Sequence, residues 1–121
     1  MNAKKAEPAI PREVIESYDR LIATQPGVDR KGAKIPYTSR NGHMYSYLAE
    51  PGSLALRLAP PEREEFMARF AARLQEAYGI VQKEYVAVPD AVLRDTATLA
   101  PYFAASLAYV SSLKPKPTRR G

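Results

Sequence analysis

The chain contains no cysteine, which excludes disulfides, thiolate nucleophiles and cysteine-held metals, and removes the usual clue to redox compartment. It has one histidine, His43, too few for a histidine-based metal cage. The carboxylates of the acidic run Glu62–Arg63–Glu64–Glu65 spread around a helix start rather than converging as a cation site requires. No metal and no cofactor are therefore expected. No apolar run approaches the ~20 residues that cross a bilayer, and MNAKKAEPAIPR at the N-terminus lacks a signal peptide's hydrophobic stretch. A cytoplasmic protein without membrane contact is the expectation. G-x-S-x-G, Walker A and G-x-G-x-x-G motifs are all missing. Residues 30–40, finally, hold no acid.

What remains is 121 residues, 45% of them hydrophobic and 26% charged, the composition of one globular domain able to bury its own core. The net charge of +5 is unevenly placed. Residues 1–9 contribute +1 and residues 114–121 contribute +4, so the body between them is neutral. The expected organisation is an N-terminal segment 1–9, a domain 10–113 and a basic tail 114–121 too polar and proline-rich to pack.

Helical spacing appears three times. After Pro11, Val14, Ile15, Tyr18, Leu21 and Ile22 share one face, and Pro26-Gly27 stops the run. After Pro60-Pro61, acids crowd the first turn, where the helix dipole favours them, and a stripe of Phe66, Met67, Phe70, Leu74 and Tyr78 runs to Gly79 as terminator. After the N-cap Asp95, Leu99, Tyr102, Phe103, Leu107, Val110 and Leu113 form the third stripe, closed by Pro115 and Pro117.

Strand signals fill the gaps. Asn41-Gly42 is a two-residue hairpin turn, since both residues accept the positive φ of type I′. Pro51-Gly52 marks another turn, and Ser53–Leu58 alternates leucine with other residues. IVQKEYVAVP supplies one or two further strands, and DAVLRD reads as a short turn. The order is helix, three strands, helix, one or two strands, helix: an α+β fold with a mainly antiparallel sheet and its helices on one face.

Pairing across Asn41-Gly42 sets Arg40 against His43, Ser39 against Met44, Thr38 against Tyr45, Tyr37 against Ser46 and Pro36 against Tyr47. One face then carries Ile35, Tyr37, Met44 and Leu48 towards the core. The other carries Lys34, Arg40, His43, Tyr45 and Tyr47, a candidate interaction surface. Pro36 lacks an N–H, so its strand belongs at a sheet edge.

Three function classes follow. A tyrosine-bearing face with no helix to cover it suits a homodimer or protein partner. Basic residues interleaved with sheet aromatics suit nucleic acid, with a patch of Arg30, Lys31, Lys34, Arg40, Lys114, Lys116, Arg119 and Arg120. An enzyme or small-ligand binder needs a pocket at His43, and no nucleophile or carboxylate partner in the sequence points to one.

Taken in succession, VDRKGAKIPYT, NGHMYSYL, LALRL, EYVAVPDAVLRD and LAYVSSLKPKP make the chain from about Val14 to Pro117 resemble the N-terminal domain of the TfoX/Sxy competence regulators. The resemblance implies a secretion-chaperone-like α+β fold in the order helix, three strands, helix, two strands, helix, and a non-enzymatic, regulatory role through protein association. It supplies no catalytic residues. Family members often carry a Met-Phe-Gly segment after the basic residue where this chain reads Lys31-Gly32-Ala33-Lys34-Ile35-Pro36-Tyr37, and the full-length regulators add a helical domain where this chain has its tail. A competence role is accordingly not carried over.

Overall fold

A computed structural model describes residues 10–32, 34–49 and 52–115. The expected segment 1–9 and tail residues 116–121 lie outside the described residues. Prolines start the first two helices: α1 (Arg12–Ile22) follows extended Pro11, and α2 (Pro60–Phe70) has Pro60 and Pro61 in its first turn, where absent N–H groups leave nothing unpaired. Between them run β1 (Tyr37–Arg40), β2 (His43–Ala49) and β3 (Ser53–Arg57). Then come β4 (Leu74–Ala77), β5 (Ile80–Val88), α3 (Asp90–Arg94) and α4 (Thr96–Ser112). The Asp95 carboxylate caps α4, accepting from Thr98 N at 3.3 Å and Thr98 Oγ1 at 2.8 Å.

The strands form one sheet in the order β1-β2-β3-β5-β4, and all its pairings are antiparallel. As Pro36 requires, β1 is an edge; β4 is the other. Lys31 adds a single bridge outside β1, exchanging backbone bonds of 2.8 and 2.9 Å with Tyr37. Leu48, Leu54, Leu56, Val86 and Val88 meet Tyr18, Leu21, Phe66, Leu99, Phe103 and Val110 in one core between the sheet and the helices. The α+β reading of the sequence holds.

Three local expectations do not. The helical stripe through Leu74 and Tyr78 stops at Phe70, because Ala71 turns left-handed (φ 53°, ψ 41°) and Ala72 N–H closes on Met67 O at 3.0 Å. Leu74–Ala77 instead pairs with β5, and Tyr78-Gly79 (φ 54° and 75°) is a two-residue hairpin turn. Hairpin pairing with the next strand has overridden a segment of good helix formers. DAVLRD is mostly the short helix α3 rather than a turn; IVQKEYVAVP yields one strand, β5, within the one or two expected.

The third correction concerns register. Arg40 pairs with His43 and Ser39 with Met44 as the turn dictates, but Thr38 then pairs with Ser46 and Tyr37 with Tyr47. Tyr45 is the extra residue of a β-bulge. Past the bulge, Ser46 and Leu48 face the helices and Tyr47 faces away, as expected. Before it the faces are exchanged: Arg40, His43 and Tyr45 point to the helix side, while Ile35 and Met44, assigned to the core, are 44% and 38% exposed.

Candidate functional site

The hairpin turn between β1 and β2 meets the end of α4. That helix has no basic residue in its last turn, so its terminal carbonyls need donors from elsewhere. The Asn41 side-chain amide donates to Ser111 O at 3.2 Å and Val110 O at 3.5 Å, and His43 Nε2–H donates to Lys114 O at 2.9 Å. Asn41 itself sits at φ 59° and Gly42 at φ 79°, the turn that places both donors beneath the helix. His43 is thus occupied as a clasp on α4.

Deeper on the same side, the bulge turns Tyr45 and Ser46 inward together. The Tyr45 ring is fully buried with its centroid 5.7 Å from that of Phe103. Ser46 Oγ lies 2.6 Å from the Tyr18 hydroxyl and 2.5 Å from Thr38 Oγ1, a buried hydroxyl chain joining α1 to β1 and β2. Among the described residues, the Tyr45 hydroxyl has no hydrogen-bond partner. Burial raises the pKa of Tyr18, offset in part by its hydrogen bond to Ser46 and by the nearby Thr38 hydroxyl. Burial also raises that of Tyr45, with the Thr38 hydroxyl and Arg40 charge opposing.

The face away from the helices carries Tyr47 and Tyr85, 5.6 Å apart edge to face. Each reaches across β3: the Tyr47 hydroxyl donates to Gln82 Oε1 at 2.5 Å and the Tyr85 hydroxyl to Met44 O at 2.6 Å. Between their strands β3 presents Ala55, small enough to pass beneath the rings and itself fully buried. Burial raises both phenols, Tyr85 to about 12. This face is covered by its own side chains.

The expected basic patch is divided. Arg30 turns back to α1 and pairs with Asp19 at 2.7 Å. Lys31 Nζ donates to Ser39 Oγ at 3.2 Å, and Lys34 is exposed in the loop before β1. Arg40 is half-buried on the helix side, Lys114 is exposed beyond α4, and Lys116, Arg119 and Arg120 lie outside the described residues. The five residues of the expected interaction surface do not share a face: Arg40, His43 and Tyr45 go one way, Tyr47 the other, and Lys34 precedes the strand.

Sequence reasoning missed the β4–β5 hairpin. Its tip exposes Tyr78 at 98%, Ile80 at 67% and Val81 at 44%. The signal was present as Tyr-Gly between two alternating segments, but it had been absorbed into a helical stripe. Alongside lies a groove of about 680 Å³ lined by Arg73, Leu74, Glu76, Val81, Ala87 and Asp90 among others. It borders the β4 edge, whereas His43 stands beside the β1 edge. Among the described residues, no group of three or more histidine or acidic side chains could hold a metal, and no helix is long and apolar enough to cross a membrane. Comparison with family models, curated proteins and solved structures finds no match for the chain.

Proposed function

We propose that this chain is a non-enzymatic association module with a regulatory role, as its resemblance to the TfoX/Sxy N-terminal domain suggests, and that it pairs with a second copy through the β4 edge. The observation that carries this reading is the hairpin tip, where Tyr78, Ile80 and Val81 stand exposed beside a strand that, among the described residues, is paired on one side only. Ala77 and Ile80 flank the two-residue turn and bond each other, so at the next pair Glu76 directs its backbone N–H and C=O away from β5. That edge is a template for strand addition. Antiparallel pairing centred on Gln75 would set Leu74 against the partner's Glu76 and Arg73 against the partner's Ala77. No like charges then oppose each other. Centring on Glu76 would oppose two carboxylates and is disfavoured.

Sedimentation velocity over a concentration series tests this. The native chain is expected to show concentration-dependent dimerisation, and Ile80→Lys with Val81→Lys is expected to give a monomer of unchanged circular dichroism. A native chain that stays monomeric at millimolar concentration would sink the proposal.

The nucleic-acid reading draws its support from exposed Lys31 and Lys34 in the acid-free run. It has less to work with on the sheet. Tyr45 is enclosed and Tyr47 is engaged with Gln82, so neither offers an open ring for a base.

A further inference from the structure

The Asn41–Gly42 turn is the chain's one Asn-Gly dipeptide, and its chemistry is independent of any dimer. An asparagine followed by glycine is open to attack at its side-chain carbonyl carbon by the next backbone nitrogen, because glycine has no Cβ to obstruct the approach. Two features of the fold oppose that attack. Asn41 is held in the left-handed region at φ 59°, within a two-residue turn that the flanking ladder defines. Its carboxamide nitrogen is also engaged, donating to Ser111 O and Val110 O at the end of α4. Swinging the carboxamide carbon onto Gly42 N means giving up both.

We infer that Asn41 is a deamidation site kept closed by its clasp on α4, and that conversion there releases the last turn of α4 irreversibly. In the step itself, Gly42 N loses its proton and bonds to Asn41 Cγ, closing a five-membered imide. The carboxamide nitrogen leaves as ammonia. Water then opens the imide at one of its two carbonyls, leaving an aspartyl or isoaspartyl residue. Water is the only co-reactant, and no oxidation state changes.

The product cannot restore the clasp. A carboxylate only accepts hydrogen bonds, and here it would stand against the carbonyl oxygens of Ser111 and Val110 at the negative end of the helix dipole. The isoaspartyl form also lengthens the backbone inside a turn that has no slack. His43 to Lys114 then carries that end of the helix without its neighbour. The reaction therefore proceeds from the opened clasp and blocks reclosure, so its rate reads how often α4 lets go of the hairpin.

The test incubates the full chain at mildly alkaline pH and follows Asn41 by peptide mass spectrometry, with amide hydrogen exchange reporting on residues 107–115. Native protein is expected to convert roughly tenfold or more slowly than the urea-unfolded chain, reflecting the local opening it must wait for. His43→Ala, which weakens the clasp from the other side, is expected to speed native conversion several-fold. Asn41→Asp is expected to raise exchange over residues 110–115 while leaving the earlier turns of α4 protected. Equal rates in native and unfolded chains, no effect of His43→Ala, or wild-type exchange in Asn41→Asp would each overturn the inference.

Discussion

Four hydroxyl-bearing side chains converge under α1, and their fates differ. Tyr18, Ser46 and Thr38 satisfy one another within 2.6 Å, while Tyr45 brings a hydroxyl that finds no partner among the described residues. A buried donor without a partner costs free energy, whereas a paired one returns about 1 kcal/mol. Two substitutions of the same chemistry should therefore move stability in opposite directions. Tyr18→Phe is expected to lower it by about 1 kcal/mol, since Ser46 loses one of its two partners and keeps only Thr38. Tyr45→Phe is expected to leave it unchanged or raise it, because the Phe103 contact survives and the orphan group goes. Urea titrations of both variants and their double mutant measure the difference. None of this was legible beforehand: the sequence spacing placed Tyr45 outward, and nothing in Met44-Tyr45-Ser46 marks an extra residue.

Among the elements, turns were easier to read than helix ends. Asn41-Gly42 announced its geometry because both residues accept positive φ, and Asp95 announced α4 through its capping carboxylate. The end of α2 was hidden because its left-handed residue is Ala71, where a glycine would have been the signal. Two other positive-φ positions show how much surroundings matter. Gly27 (φ 79°) has nothing among the described residues within reach of an added Cβ, so Gly27→Ala should cost only the left-handed strain of about 1 kcal/mol. Gly32 (φ 91°) is different: a Cβ there would collide with the Ile35 carbonyl oxygen and come within 3.0 Å of the Tyr37 ring. Gly32→Ala should be clearly more destabilising in thermal melts and should loosen the Lys31–Tyr37 bridge, read as faster exchange of both amides.

For the molecule as a whole, charge and shape are legible to different degrees. Composition located the excess charge in the termini and left a neutral body, whereas the apolar tip at Tyr78, Ile80 and Val81 hung on a Tyr-Gly turn that a competing helical stripe concealed. Buried phenols set an alkaline limit on the fold. Folding raises Tyr85 from its ordinary 10.0 to about 12, and raises Tyr18, Tyr45 and Tyr47 as well, so the native state holds these protons more tightly than the unfolded chain. Their contribution is fully present below pH 10, the ordinary value, and is lost as pH rises through the folded values. The urea midpoint of the native chain should therefore fall across this window, and Tyr85→Phe should reduce the slope there. The bulge at Tyr45 carries a consequence for chain length. Deleting Tyr45 alone would return β2 to regular alternation with Met44 still outward and Ser46 and Leu48 still inward, at the cost of one ring beside Phe103. Deleting Tyr47 would instead reverse every side chain on one side of the gap. The deleted-Tyr45 protein should fold and melt cooperatively at a lower temperature, and the deleted-Tyr47 protein should not. One strand of this sheet thus holds a spare residue, and shortening by one at that joint is the length change the fold is built to survive.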